Sequence, residues 1–228
     1  MADTLELRKI MREVEREGIQ RAVHAIGTKA NEWILDAFLD IEKENGDRDR
    51  RPRIEHSQHL TSNSINRFNT QNVIPSMQPY HCIDDTRWMY KRIGPEIMEG
   101  TYVFRSFLDK NVNLTFGSDW TVAPLNPMAG IYAAVTRKTI DGSYPGGWYP
   151  EQRITVEEAL HCYTNNSAYA GFQEDKLGSL ESGKLADFVV LSNDLTRIEP
   201  DAILNTIVLR TIVGGMDAYI RSAEKVRK

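Results

Sequence analysis

The sequence predicts a parallel α/β fold followed by a small β layer, on three observations. Four short apolar or β-branched runs stop at polar residues or turns: Ile19–His24, Arg53–His56, Val73–Gln78 and Asn113–Phe116, the last running into Gly117-Ser118-Asp119-Trp120. Stretches with helical spacing of apolar residues separate them, so strand and helix alternate as in βα units. The intervals from His24 to His56 and from His56 to Asp119 are close to one such unit and then two. That spacing places all three at the carboxyl ends of neighbouring strands, where parallel α/β folds keep their chemistry.

In chain order, Asp3 to Gly18 reads as a helix, with Leu5, Leu7, Ile10, Met11 and Val14 at helical spacing, Asp3 and Glu6 as a capping box, and Gly18 as the stop. The strand ending at His24 turns through Ala25-Ile26-Gly27 into a helix over Ala30 to Asn45, whose Trp33, Ile34, Ala37, Phe38 and Ile41 share a face. A charged loop, Asp47 to Arg51, leads to the strand closing on His56. A helix over Ser62 to Phe68 precedes the strand ending in the Gln78-Pro79 turn, with His81 just beyond. Helical periods over Thr86 to Ile93 and Thr101 to Lys110 deliver the chain to the Leu114 strand. Pro127 to Lys138 and Thr155 to Gly171 read as helices, the second opened by Thr155 with Glu158 as its capping partner. Between them, Gly142 to Pro150 reads as an ordered surface loop. Leu185–Leu191, Ile207–Val213 and Ala218–Ile220, with glycine turns, form the expected β layer.

Composition narrows the function classes. The 228 residues, 41% of them hydrophobic, can bury a substantial core. A formal net charge of -4 offers no basic face for nucleic acid or an anionic membrane surface. Cys82 and Cys162 stand apart with no CxxC spacing, which fits a reducing compartment. With no apolar run of membrane length and no signal-like start, the expected location is cytoplasmic.

Five stretches carry a family resemblance: Val23-His24-Ala25-Ile26-Gly27, Arg53-Ile54-Glu55-His56-Ser57-Gln58-His59, Ser76-Met77-Gln78-Pro79-Tyr80-His81, Gly117-Ser118-Asp119-Trp120 with Pro124-Leu125-Asn126-Pro127, and Leu177 to Leu191. In this order they resemble the carboxyl-terminal portion of a metal-dependent amidohydrolase, in the branch called amidohydrolase family 3, which holds formamide deformylase-like enzymes. The resemblance implies a partial (β/α)8 TIM barrel, strands five to eight, over residues 1–175, and part of a flanking β-sandwich over residues 176–228. In that likeness His24 and His56 resemble the metal ligands after strands five and six. Asp119 resembles the strand-eight aspartate that contacts metal and handles the proton of the attacking water.

Two departures set further expectations. Family members carry a strand-one His-x-His pair and many a modified strand-four lysine; no His-x-His occurs in this sequence, which starts just before strand five. The expectation is a fragment lacking half of its ligands and weak or inactive alone. Thr28 also stands where the family usually has an aspartate.

Imidazole and carboxylate suit zinc or another divalent ion, which lowers the pKa of bound water to about 7. Asp119 would then serve as proton carrier. The expected reaction is hydrolysis of an amide, cyclic amide or formamide carbon–nitrogen bond in a small molecule, with His81 and Trp120 gripping the substrate. Plainer roles compete with each reading. Asp119 could cap the turn that follows, His56 could form a salt link with Glu55 or Arg53, and His59 could simply start a helix. The alternative function is a non-catalytic truncated barrel that acts only as a self-associating scaffold. Either way, unpaired strand edges near Val23 and Leu114 would favour a homo-oligomer.

Overall fold

In a computed structural model, the structure describes residues 3–222. Residues 1–2 and 223–228, the outer ends of the two expected segments, lie outside the described residues. The chain opens with α1 (Thr4–Arg16), then alternates β1 (Ala22–Ala25), α2 (Thr28–Asn45), β2 (Arg53–His56), α3 (Ser62–Thr70) and β3 (Ile74–Met77). Three helices follow, α4 (Pro79–Met89), α5 (Pro95–Met98) and α6 (Phe104–Asp109), before β4 (Thr115–Phe116). These strands form one parallel sheet in sequence order, β1-β2-β3-β4.

The parallel ladder is held by helices that bury the apolar side chains of its strands. Ile54, Ile74, Met77 and Leu114 are fully buried, and Phe38 and Ile41 of α2, Phe68 of α3, and Phe104 and Phe107 of α6 close over them. Phe68 meets Phe107 edge-on at 5.0 Å and Phe104 meets Phe116 at 5.2 Å. Each such ring contributes about 1.5–3 kcal/mol through burial.

α7 (Pro127–Thr136), α8 (Val156–Tyr163) and α9 (Asn165–Ala170) complete this layer. The expected Thr155–Gly171 helix is two helices, because Thr164 leaves helical geometry (φ -117°, ψ -83°) while its hydroxyl donates to the Leu160 carbonyl at 2.8 Å. The capping box predicted at Thr155 and Glu158 forms in full. At the first helix, Asp3 caps Leu5 and Glu6, and Glu6 makes no return bond among the described contacts. The apolar face expected there is also narrower: Met11 is buried, whereas Leu5 and Ile10 are exposed. Glu15 occupies the inward position one turn beyond Met11, paired with Arg21, Arg48 and Arg50 at 2.7–2.9 Å.

The two flanks of the sheet differ. Ala22 and His24 on β1 are exposed. On the β4 side, the Leu114 carbonyl accepts from Asn166 Nδ2 at 2.8 Å and the Phe116 carbonyl from Ser167 Oγ at 3.4 Å, both on α9. Helix α9 therefore covers the flank near Leu114 that the sequence led us to expect bare.

The last segment is a three-stranded antiparallel sheet, β5 (Phe188–Leu191), β6 (Val208–Val213) and β7 (Met216–Ile220). Gly214 and Gly215, both at positive φ, make the β6–β7 turn. No helix among the described residues is long and apolar enough to cross a membrane.

Candidate functional site

The carboxyl ends of β1, β2 and β3 and the turn after β4 bring four of the five predicted residues to one rim. Regular pairing aligns Ala25 with His56 and His24 with Glu55, so strand alternation alone would send the two imidazoles to opposite faces. His56 escapes that alternation through a left-handed backbone (φ 75°), continued by Ser57 (φ 47°). Its ring consequently meets His24 edge-on, with centroids 4.5 Å apart.

Pro79 occupies the first turn of α4 and restricts Gln78 before it to extended geometry (φ -121°, ψ 97°). The His81 N–H donates to the Gln78 carbonyl at 3.1 Å, which fixes His81 in that turn. The helix thus begins about two turns earlier than the Thr86 start the sequence suggested, and His81 is a helical residue. Its ring stacks on His56 at 6.1 Å with an interplanar angle of 15°. After β4, Asp119 adopts φ 56°, and its backbone carbonyl, not its side chain, accepts from Val122 and Ala123. The capping duty that competed for Asp119 is therefore carried by the backbone, and the carboxylate is turned towards His81, Oδ2 to Nε2 at 3.9 Å.

One ligand-type atom from each of His56, His81 and Asp119 lies within 4.8 Å of the others. His24 borders this group through His56 without belonging to it. Partial desolvation, then His56, holds the His24 imidazole below its ordinary pKa, against the pull of Asp119. The donor set fits a divalent ion, since two imidazoles and a carboxylate suit zinc and similar metals. The His81 Nε2 atom is moreover buried without a hydrogen-bond partner, as a ring nitrogen aimed at a missing ligand would be. Trp120 is 65% exposed beside Asp119 and makes no ring contact among the described residues.

The plainer roles are also resolved. Arg53 pairs with Glu55 at 3.0 Å, leaving His56 to Gln78, whose Oε1 lies 2.8 Å from His56 Nδ1. His59 is a buried structural residue: its Nδ1 lies 2.8 Å from Thr101 Oγ1, and burial lowers its pKa. Thr101 Oγ1 donates to the Ile97 carbonyl, so the His59 nitrogen must be the donor of the first contact. Beside it, Gln58 Nε2 at 3.1 Å and the Tyr102 hydroxyl at 2.7 Å both donate to Asp85 Oδ2. Cys82 and Cys162 are buried, with thiols pushed up to about 11 and about 12 by desolvation, so both are protonated and unreactive.

Sequence reasoning missed Gln78, Gln58, Asp85 and Tyr102, and it gave His81 to substrate rather than to the cluster. The Pro79 signal could have placed Gln78 and His81, because proline at a helix start sets both the cap and the first turn. The Asp85 network joins residues far apart in sequence and had no local signal.

A parallel sheet gathering two imidazoles and a carboxylate at its carboxyl rim defines a class: α/β proteins built like metal-dependent hydrolases. An uncharacterized metal-dependent hydrolase from Pyrococcus horikoshii OT3 superposes with a TM-score of 0.76 at 28% identity, over 88% of this chain and 39% of that one. The chain belongs to the amidohydrolase family, whose profile matches residues 1–219. It is 44% identical over 207 residues to protein LONG AFTER FAR-RED 3 of Arabidopsis thaliana, covering 90% of this chain and 35% of that protein. It is 28% identical over 207 residues to an N-substituted formamide deformylase of Arthrobacter pascens, covering 90% and 37%. The chain thus spans roughly a third of the length of these curated relatives.

Proposed function

We propose that this chain supplies the carboxyl-rim half of a metal-dependent hydrolase acting on carbon–nitrogen bonds of amides, cyclic amides or formamides. The observation that carries this reading is the convergence of His56, His81 and Asp119 around a buried, unpartnered His81 nitrogen. In this reading the four parallel strands are strands five to eight of a (β/α)8 barrel, and β5–β7 are part of its flanking sandwich. His56, His81 and Asp119 would hold the ion, with His24 as an adjacent donor, and the remaining ligands would come from outside these residues. The ion, zinc or another divalent metal, would supply an activated water and a polarised carbonyl.

The rest of the work falls to this chain's own side chains. Asp119, unencumbered by the turn its backbone makes, accepts a proton from water at a carboxylate oxygen and returns it to the leaving nitrogen. Exposed Trp120 offers an apolar face to the substrate. The named formamide substrate class of the Arthrobacter relative is the first to assay.

The test is metal content after dialysis combined with hydrolysis of a formamide and amide panel. Near-stoichiometric zinc is expected, and whatever weak hydrolysis the chain supports should fall about 10²–10⁴-fold in Asp119→Asn. Protein that retains no zinc at His56, His81 and Asp119 would refute the reading and favour a second one, a non-catalytic self-associating scaffold. The exposed β1 flank would be the self-association surface in that second reading.

A further inference from the structure

We infer that Gln78 is a positioning residue that locks His56 as its Nδ1–H tautomer and leaves the Nε2 lone pair free for a ligand. Gln78 Nε2 lies 3.2 Å from the Ser76 carbonyl, and a carbonyl only accepts. The amide nitrogen must therefore face Ser76, and the amide oxygen must face His56 at 2.8 Å. An amide oxygen likewise only accepts, so the proton of that contact sits on His56 Nδ1. The reverse amide orientation would set two oxygens against each other.

Gln78 is 7% exposed and its backbone is held extended by Pro79, so the lock is built into the β3–α4 junction. The same residue holds His81 through its backbone carbonyl. One glutamine therefore sets both imidazoles of the cluster, His56 by its side chain and His81 by its main chain. Outer hydrogen bonds of this kind fix ring orientation, and losing one weakens metal affinity by about 10–100-fold. The consequence for metal rests on the reading of the site proposed above, whereas the tautomer does not.

The experiment is long-range ¹H–¹⁵N correlation on ¹⁵N-histidine-labelled full chain without metal, in which five histidines are to be resolved. Wild-type His56 is expected as Nδ1–H. Gln78→Glu keeps the proton on Nδ1, because a carboxylate oxygen accepts it, while its second oxygen gives up the bond to the Ser76 carbonyl. Gln78→Leu releases His56 to the Nε2–H form, while the His59 signal, held by Thr101, stays unchanged and reports an intact fold. His56 found as Nε2–H in the wild type, or unmoved in a folded Gln78→Leu, overturns the inference. If Gln78→Leu does not fold, the wild-type and Gln78→Glu spectra decide. A Zn²⁺ titration of the same samples should show affinity about 10–100-fold weaker in Gln78→Leu, with recovery in Gln78→Glu. Tautomers as expected with no Zn²⁺ bound by any sample would sustain the lock and defeat the metal reading.

Discussion

Tyr102→Phe removes one hydroxyl and tests whether the Asp85 network holds the loop after β2. The Tyr102 side chain is 2% exposed, and its hydroxyl donates to Asp85 Oδ2 at 2.7 Å. Burial, with Asp85 adding, raises the Tyr102 phenol well above its ordinary pKa, so it is a neutral donor. A hydrogen bond to a charged acceptor contributes about 1.5–3 kcal/mol. Asp85 is only half-buried and keeps Gln58 as a partner, which puts the expected loss near the lower end, about 1.5–2 kcal/mol. For a chain of this size that corresponds to roughly 3–8 °C in Tm. Denaturant unfolding should show a lower midpoint at unchanged slope. On an Asp85→Leu background the same change should cost little, because the acceptor is gone. A loss under about 0.5 kcal/mol, or the full loss persisting without Asp85, would refute the assignment.

Three further outcomes are expected. Glu15→Ala leaves the guanidinium groups of Arg21, Arg48 and Arg50 without their common carboxylate and should cost about 3–5 kcal/mol, read by chemical denaturation. Gly100→Ala would drive a methyl group into the Leu60 carbonyl oxygen, which is backbone and cannot swing aside, so a loss of at least about 3 kcal/mol or failure to accumulate soluble protein is expected. His59 has a folded pKa depressed by burial, so the unfolded chain binds its proton first; stability should fall as pH drops below about 6.5, and His59→Gln should flatten that part of the stability profile.

The parallel sheet was legible because its strands are short apolar runs punctuated by turn residues, and three of the four observed strands sit within about two residues of their sequence positions. Arg53–His56 coincides with its prediction. The rim was legible through strand-end spacing, which found His24, His56 and Asp119. What spacing could not show is side-chain direction, since left-handed backbone at His56 and Asp119 decides where the imidazole and carboxylate point. It also could not show that α9 would fold back on β4, because Asn166 and Ser167 reach carbonyls about fifty residues away, an interval set by tertiary packing rather than local preference. The inward Glu15 was hidden for the same reason: a carboxylate on the apolar side of α1 makes sense only once three distant arginines are known to surround it.

The covering of β4 by α9 makes this sheet extensible in one direction, through β1. A two-fold axis there would run two β1 strands antiparallel and send their imidazole rims to opposite poles of the pair. Any neighbour that brings its own donors within reach of His24 and His56 must instead present a different strand, aligned with β1 and related to it head to tail.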